Sequence, residues 1–454
     1  MIFLQCLSAA AWLCLLSRGS AKAIPYGETS DLIGPDRDFR TKTPIILPLH
    51  GPNRLPEDAS LNCDLGNSTA SSACGVSQVT GLWKSMNHMT VITIGKKNYN
   101  VVIDTGSGDF FLFGAATRCL RRKFRHLYAV AQEQCRFGPL YSPSISSPGI
   151  RGTFQREYMN VEYASGNFER ANVTLGGITV NSEIGVTTAA TNWRGDTIRS
   201  GVLGLANPTR TRASNGTWET RAFSIQASPL FAMFQQRLAA PFFTLVLPRE
   251  SSWIPAPILN STHGGYLAIG HLGPAVTPNT PFIRTPIVDK ERIDYHRLPN
   301  DWDLSTDYNI HVDGFSVAED RLDGRKSWRD IGGSLIMTID SGSSMITLPW
   351  NTARKINQLF DPPPSDVIIP SWEREHRPTN VDCNAKPPHI TFSISGEQFH
   401  IPPPNLIQRI SPYYCISTIG SSWGQNNILG APFLRNAIAV FDIGQNEMRF
   451  APRP

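Results

Sequence analysis

A short motif occurs once in each half of this chain, and it constrains the fold more than any other feature. The first copy, Val101–Ser107, reads VVIDTGS, and the second, Met337–Ser343, reads MTIDSGS. Two apolar residues and a glycine follow later in each half, at Val202–Gly204 and Ile428–Gly430. A repeat that keeps two elements in the same order predicts that the chain folds as two related halves.

The rest of the sequence predicts a mainly β fold. The 454 residues include 36 glycines and 35 prolines, and such frequent turn residues favour short strands over long helices. Thr90–Ile94 and Asn100–Ile103 are strand-like runs on either side of a turn at Gly95–Lys97. Further predicted strands are Ala171–Leu175, Phe242–Leu247 and Tyr266–Ile269. Short helices are predicted at Pro229–Ala240 and Thr352–Leu359.

The repeated motif ends an apolar strand with an aspartate in each half, Asp104 and Asp340. Two carboxylates held together cannot both ionise easily, so such a pair shares a proton. The ionised member can take a proton from water while the protonated member polarises a peptide carbonyl. Residues beside them can turn the backbone and orient the carboxylates: Thr105, Gly106 and Ser107 in the first motif, Ser341, Gly342 and Ser343 in the second. The motif pair therefore predicts metal-free hydrolysis of peptide bonds.

Together these motifs resemble the pepsin family of aspartic proteases over about Asn87–Pro454. Val161–Gly166, which reads VEYASG, is similar to the hairpin flap that closes over substrate in that family, with Tyr163 as the flap tyrosine. Ser200–Leu205 and Ile428–Gly430 match the strands behind the two active-site loops. The resemblance implies a bilobal fold, with two related β-barrel-like lobes and the active site in the cleft between them. Among family members, the chain resembles the fungal extracellular ones.

The resemblance also implies how substrate is held. The residues expected to contact substrate are Gly106, Gly342, Ser344 and, on the flap, Tyr163, Ala164, Ser165 and Gly166. Val102 and Val202 would line an apolar pocket, with ordinary core packing as the alternative for both. Polypeptide substrates cleaved between apolar residues are expected, as are inhibition by pepstatin-type compounds, a monomeric enzyme and no cofactor.

The chain departs from the family pattern beside the first motif. The family usually has Asn-x-Trp where this chain has Asp109–Phe111. Phe111 lacks the ring N–H that would hydrogen-bond the flap tyrosine, so the flap must be held differently or move more freely. Gly108, Ser200 and Ala431 replace a serine and two acids that are common in the family. These changes leave the predicted reaction in place and the pH optimum open.

The N-terminus predicts export. Ile2–Leu16 is almost entirely apolar and Ala21–Ala23 offers small residues for cleavage, so residues 1–23 are interpreted as a signal peptide. A membrane anchor is the alternative, but the apolar run is shorter than the roughly 20 residues that a span needs. Secretion is therefore expected, without a membrane anchor and with the vacuole as a second destination.

The sequence predicts three further segments. Residues 24–84, rich in Pro, Gly, Asp and Ser, are interpreted as a pro-segment, with a disordered extension as the alternative. Residues 85–285 form the predicted N-terminal lobe, with the first aspartate and the flap, and residues 286–454 the C-terminal lobe. The presumed pro-segment is slightly acidic and the remainder slightly basic, the reverse of many family members. We therefore hypothesise that Lys42 or Arg54 blocks the aspartate pair directly, without an overall charge attraction between the pro-segment and the enzyme.

Cysteines and sequons fit an exported protein. Three disulfides are expected from six cysteines beyond the signal. Neighbours in sequence suggest Cys63–Cys74, Cys119–Cys135 and Cys383–Cys415, with other pairings open. The last pair also has the spacing of the family's C-terminal lobe disulfide. Glycosylation sequons occur at Asn67, Asn172, Asn215 and Asn260.

Charge and cysteine spacing argue against other function classes. A net charge of +5 on 454 residues is too dispersed to indicate nucleic-acid binding. The local basic cluster at Arg118–Arg125 is interpreted as a solvated loop. No closely spaced Cys/His set suggests a metal site. The alternative to an active endopeptidase is a catalytically inactive protein of the same fold that binds or inhibits partners. The intact motifs favour the enzyme, and nothing beyond secretion supports a glycan-binding role.

Overall fold

A computed structural model of the chain describes most of it from Gly75 onward. The described residues are 75–82, 87–123, 126–143, 149–158, 162–192, 197–208, 213–214, 223–224, 226–249, 265–288, 307–320, 326–364, 379–422 and 427–453. The predicted signal, the Cys63–Cys74 pairing, the block by Lys42 or Arg54, and three of the sequons (Asn67, Asn215 and Asn260) lie outside them.

The first half of the chain is built from fifteen described strands and one helix. The strands are β1 (Gly75–Leu82), β2 (Asn87–Ile94), β3 (Lys97–Asp104), β4 (Phe110–Leu112), β5 (Arg118–Lys123), β6 (His126–Val130), β7 (Gly149–Glu157), β8 (Tyr163–Leu175), β9 (Ile178–Thr191), β10 (Arg199–Gly204), β11 (Ala213–Ser214), β12 (Phe223–Ser224), β13 (Phe242–Val246), β14 (Gly265–Ile269) and β15 (Ile283–Pro286). Helix α1 spans Pro229–Gln235.

The second half has the same mainly β character. Its described strands are β16 (Asn309–Val312), β17 (Gly314–Asp320), β18 (Lys326–Gly332), β19 (Leu335–Ile339), β20 (Ile346–Leu348), β21 (Asn380–Val381), β22 (His389–Ile394), β23 (Glu397–Ile401), β24 (Ile407–Ser411), β25 (Tyr414–Ser417), β26 (Ile419–Ser421), β27 (Ile428–Leu429), β28 (Ala437–Asp442) and β29 (Glu447–Pro452). The helices are α2 (Trp350–Asn357) and α3 (Ala431–Leu434). No helix in the described ranges is long and apolar enough to cross a membrane.

The mainly β prediction is confirmed, and the local signals behind it are visible. β2 and β3 pair antiparallel across a tight turn in which Gly95 has φ 60°, a conformation that glycine adopts without strain. Pro229 opens α1 in its first turn, where its missing N–H costs no hydrogen bond. Both predicted helices are present, as α1 and α2.

The sequence repeat is also a repeat of topology. In the first half, β10 runs parallel to β3, the strand that ends in Asp104, and β4 pairs with β10 from the other side. In the second half, β27 runs parallel to β19, which leads into Asp340, and β20 pairs with β27. Each aspartate therefore ends a strand whose parallel neighbour is the later apolar-apolar-Gly element.

One antiparallel sheet contains strands from both halves, in the order β1-β14-β13-β28-β29-β15. Two predicted boundaries fall at this sheet and stay predictions: the end of the pro-segment at residue 84 and the lobe boundary after residue 285. Strand β1, inside the predicted pro-segment, pairs with both β14 and β2 and buries Val79. The lobe boundary after residue 285 falls within β15, which pairs with β29. Strand pairing across the chain, which sequence composition does not report, places both segments in this sheet.

Two predicted disulfides are confirmed in the described chain. Cys119 bonds to Cys135, and Cys383 bonds to Cys415. The first closes a region predicted to be a solvated loop, but β5 and β6 form a paired hairpin there. Asn172 lies exposed on β8, and its side chain accepts a hydrogen bond from Asn181.

The two halves are joined where their aspartate motifs meet. The Thr105 hydroxyl donates to the carbonyl of Ile339 at 2.9 Å and accepts from the Ser341 N–H at 2.8 Å. The Ser341 hydroxyl in turn donates to the carbonyl of Ile103 at 3.0 Å and accepts from the Thr105 N–H at 3.1 Å. All four bonds are buried, so they fix the relative position of the two strand ends.

Replacing Thr105 with Val should destabilise the fold. The substitution keeps the shape but leaves the Ser341 N–H and the Ile339 carbonyl buried without their partner, at a cost of roughly 1–3 kcal/mol for each group. Chemical denaturation measures the loss. Thr105→Ser, which keeps the hydroxyl, should retain most of the stability. Thr174→Val, which removes an exposed hydroxyl paired with Thr179, is the matched control. Equal stability of T105V and T174V would contradict the prediction.

A buried histidine makes stability depend on pH. His88 on β2 is fully enclosed, and burial, followed by the charge of Arg435, lowers its pKa well below the ordinary value. The unfolded chain takes up this proton below about pH 6.5, whereas the folded chain resists it. Stability from this residue is therefore lost as the pH falls below that value.

Replacing His88 with Phe should flatten the acid side of the stability profile, because Phe fills similar volume and takes no proton. The parent should lose up to about 1.4 kcal/mol per pH unit below pH 6.5 relative to H88F. Thermal unfolding between pH 7 and pH 4 measures this. His126→Phe is a control on an exposed histidine. Parallel pH profiles for the parent and H88F would refute the role of His88.

Candidate active site

The two predicted catalytic aspartates lie against each other's loops. A β-carbon added to Gly106 would lie 2.6 Å from the carboxyl carbon of Asp340, and one added to Gly342 would lie 2.7 Å from the carboxyl carbon of Asp104. Real β-carbons do not approach so closely, so a side chain at either position would displace the opposite carboxyl. The structure thus brings Asp104 and Asp340 together at the junction of the two halves.

The two carboxylates are held by similar but not identical hydrogen bonds. The Gly106 N–H donates to Asp104 Oδ1 at 2.9 Å, and the Gly342 N–H donates to Asp340 Oδ1 at 2.8 Å. The Ser107 hydroxyl donates to Asp104 Oδ2. The Ser343 hydroxyl was expected to donate to Asp340 in the same way, and this prediction is wrong. It donates instead to the Met345 carbonyl at 3.1 Å, within the local turn at residues 343–345.

The surroundings of Asp340 favour its protonated form. Burial raises the pKa of Asp340 well above its ordinary value, and the neighbouring charge of Asp104 raises it further. The N–H groups of Gly342 and Ser343 oppose this rise. Asp340 therefore keeps its proton to a higher pH than an ordinary aspartic acid does. One protonated and one ionised carboxyl can together hold and activate a water molecule.

Glycines behind each loop allow the parallel strand to pass closely. A β-carbon on Gly204 would lie 2.5 Å from the carbonyl carbon of Gly108, and one on Gly430 would lie 2.6 Å from the Ser343 carbonyl oxygen. The backbone of Leu205 also donates to the Asp104 carbonyl at 2.8 Å. The later apolar-apolar-Gly elements therefore support the loops that carry the aspartates.

Strands β7 and β8 form the hairpin predicted as the flap. Their register pairs Arg156 with Ala164 and Glu157 with Tyr163, and the Tyr158 N–H donates to the Glu162 carbonyl at 2.8 Å. Opposed residues in an antiparallel pair share a face of the sheet. Tyr163 is therefore on the face of the exposed Glu157, opposite the face from which Arg156 approaches the dyad.

This geometry corrects the assignment of the flap tyrosine from Tyr163 to Tyr158. The Tyr158 ring lies 6.5 Å from the Phe111 ring, and its hydroxyl is shielded from solvent. Burial raises the pKa of Tyr158 well above its ordinary value; Arg156 lowers it and Asp104 raises it. Strand alternation could have revealed this residue, because Phe154, Arg156 and Tyr158 follow one another at every second position.

The other predicted substrate contacts on the flap lie away from its tip. Ala164 and Ser165 are paired with β7 on one side and β9 on the other. Gly166 is packed tightly against β9, since an added β-carbon would lie 2.7 Å from the Thr187 Cα. Contacts from these three residues to substrate are not visible in the geometry and stay predictions, as does the contact from the half-buried Ser344.

Apolar side chains form a floor beneath the flap. Val102 and Val202 are opposed across the parallel pairing of β3 and β10, and each is 6% exposed. They belong to a buried cluster with Met89, Phe111 and Phe154, in which the two phenylalanine rings stack at 5.6 Å. Both valines are thus buried as the core-packing alternative expects, and their contact with an apolar substrate side chain stays a prediction. Within the described ranges, no group of His, Cys, Asp and Glu is arranged to hold a metal ion.

A family and several known proteins match most of the chain. Residues 87–453 match the family described as eukaryotic aspartyl protease. A probable aspartic-type endopeptidase of Aspergillus fumigatus is 33% identical over 98% of this chain and 96% of its own length. Rhizopuspepsin of Rhizopus chinensis is 23% identical over 86% of this chain and 85% of its own length. The aspartic endopeptidase PEP1 of Trichophyton verrucosum is 22% identical over 81% and 80%, respectively. The chain belongs to the eukaryotic aspartyl protease family.

Proposed function

We propose that this protein is an aspartic endopeptidase that cleaves peptide bonds with a water molecule activated between Asp104 and Asp340. The observation that carries the proposal is the pair itself. Two strand ends from the two repeats bring two carboxyl groups together, and the pKa of Asp340 is raised by burial and by Asp104. Two relatives carry the word endopeptidase in their names, which supports the same reaction.

The hydrogen bonds suggest which carboxyl does which task. Asp104 accepts from the Gly106 N–H and the Ser107 hydroxyl, and both donors stabilise its negative charge. Asp104 is therefore the base that takes a proton from water, and Asp340 the acid that protonates the carbonyl oxygen of the substrate. The water oxygen thereby bonds to the carbonyl carbon and gives a tetrahedral diol. The C–N bond then breaks as Asp104 passes its proton to the nitrogen and Asp340 takes one back from a diol hydroxyl, which releases an acid and an amine.

The site suits an extended peptide with apolar side chains near the cleaved bond. The floor formed by Val102, Val202 and Phe111 is apolar and lies beside the Asp104 strand. Tyr158 encloses the same region from the flap side. Burial of an apolar side chain of the substrate on this floor contributes roughly 25 cal/mol per Å² of apolar surface.

Secretion is part of the proposal. The disulfides Cys119–Cys135 and Cys383–Cys415 are typical of chains that fold in an oxidising compartment. A signal peptide at residues 1–23 and a removable segment before β1 are consistent with that route. The catalytic body then begins at or before Gly75, the first residue of β1.

Substitution of either aspartate should abolish cleavage. Asp104→Asn and Asp340→Asn each remove one carboxyl from the pair, and activity on an unfolded protein should fall by at least about a thousandfold because neither acid nor base alone completes the proton transfers. Product formation is followed by mass spectrometry in the presence and absence of pepstatin. Asp330→Asn, on an exposed strand of the second half, is the matched control and should cleave as the parent does.

The outcomes separate the two candidate functions. Cleavage by the parent that pepstatin and both substitutions abolish supports the endopeptidase. A folded, processed parent that cleaves nothing between pH 3 and pH 7 would instead favour a binding or inhibitory protein of the same fold.

The pH dependence should have an alkaline limit set by Asp340. Because this residue acts as the acid, activity is present while it is protonated and is lost as the pH rises through its pKa. The raised pKa of Asp340 moves that loss to higher pH than an ordinary aspartic acid would give. The value of kcat/KM between pH 3 and pH 8 tests this. Activity that continued to rise with pH over the whole range would contradict the assignment.

A further inference from the structure

Two buried ion pairs tie the flap to the body of the protein, one on each side of its tip. On strand β7, Arg156 lies 3.4 Å from Asp109. Just before β8, Glu162 lies 2.8 Å from Arg199. The backbone bond between Tyr158 and Glu162 closes the hairpin between these two points, so both sides of the flap are anchored within a few residues of its turn.

The first pair connects the flap to the loop that carries Asp104. The side chains of Arg156 and Asp109 are only 11% and 2% exposed, and Asp109 follows Asp104 by five positions. The Arg156 guanidinium also lies 5.4 Å from the centre of the Tyr158 ring, a distance at which a cation is attracted to an aromatic face. Arg156 therefore positions the flap and its tyrosine together.

Charges from both halves of the chain surround this arginine. Burial lowers the pKa of Arg156, but the negative charges of Asp109, Asp104 and Asp307 raise it overall. Asp307 lies just before β16, so it belongs to the second half. This cation and the surrounding carboxylates attract one another within the buried region beside the dyad.

The second ion pair, between Arg199 and Glu162, has the shorter contact of the two. The two terminal nitrogens of Arg199 donate to the two carboxylate oxygens of Glu162 at 2.9 and 2.8 Å, a two-pronged contact that only arginine makes well. Asn192 accepts a further bond from Arg199 at 2.6 Å. The guanidinium also lies 5.9 Å from the Phe113 ring. Arg199 is on β10, the strand that supports the Asp104 loop.

We infer that Arg156 and Arg199 are positioning residues that hold the flap over the dyad. They do the work that a tryptophan–tyrosine hydrogen bond would do, since Phe111 offers the flap tyrosine no donor. Breaking one partner of a buried pair leaves an uncompensated charge, so each pair opposes separation of the flap from the body. The inference rests on the proposed protease function for its kinetic consequences only, because the flap contacts themselves are structural.

The two arginines should differ in one respect. Arg156 is close enough to Asp104 for their charges to interact, so its loss should move the acid limb of the kcat/KM profile to higher pH. Arg199 contacts Glu162 and Asn192, so it holds the flap in position through these contacts. Its loss should lower kcat/KM and leave that limb in place. A merely structural role for Arg156 would not move the limb.

The experiment compares Arg156→Gln, Asp109→Asn, the double variant D109N/R156Q and Arg199→Lys with the parent. R156Q and R199K should each lower kcat/KM by roughly 10- to 100-fold, since small displacements of positioning groups have effects of that size. The double variant should lose less than the two single losses combined, because it leaves no unpaired buried charge. Arg170→Gln, which breaks the exposed pair with Glu183 on the same hairpin, should match the parent.

Hydrogen exchange of the flap amides gives a readout that does not need catalysis. Exchange at Glu157, Tyr158 and Glu162 should be at least tenfold faster in R156Q and R199K than in the parent, and unchanged in R170Q. Parent-like exchange and an unshifted acid limb in R156Q would overturn the inference, as would fully additive losses in the double variant. If the parent is inactive but R156Q and R199K still show faster exchange, the proposed function is refuted and the inference about the flap stands. If R156Q fails to fold, D109N supplies the same comparison from the other side of the pair.

Discussion

The reciprocal hydrogen bonds between Thr105 and Ser341 are the constraint on which the rest of the site depends. They join two strand ends that are far apart in sequence. The hydroxyls of Thr105 and Ser341 each donate one of these hydrogen bonds and accept another. Because these groups are buried, the bonds cannot be exchanged for water without cost. The distance between Asp104 and Asp340 is therefore set by backbone and hydroxyl contacts. These contacts keep the two carboxyl groups close together despite their mutual repulsion.

The dyad is nearly symmetric in sequence but not in its surroundings. Asp104 accepts a hydroxyl from Ser107, whereas the Ser343 hydroxyl is turned toward Met345. Asp340 instead relies on N–H donors and is affected mainly by burial. This asymmetry gives the two carboxyls different tasks in the proposed reaction. It arises from the turn geometry after each motif, because both motifs have a serine at the same position.

The flap shows how one substitution is offset by others. Phe111 cannot hydrogen-bond a tyrosine, and its ring instead joins an apolar cluster with Phe154. Asp109 lies two positions earlier and holds Arg156 of the flap. Where the family pattern has an aromatic hydrogen bond, this chain has an ion pair, whose energy depends more on nearby charge. We expect the flap of this protein to respond to pH through groups that also affect the dyad.

The sequence by itself determined the class of fold, the two aspartates, the glycines of their loops and both helices, and it suggested two of the disulfides. These follow from local rules: strand and turn composition, a duplicated motif, and cysteine neighbours. It placed the flap tyrosine at Tyr163, missed Tyr158, and gave no sign that β1 pairs within the sheet. Only the tertiary structure decided these points, because strand register determines which face a side chain takes. The pairings of Arg156 with Asp109 and of Arg199 with Glu162 depend in the same way on strands that meet only after folding.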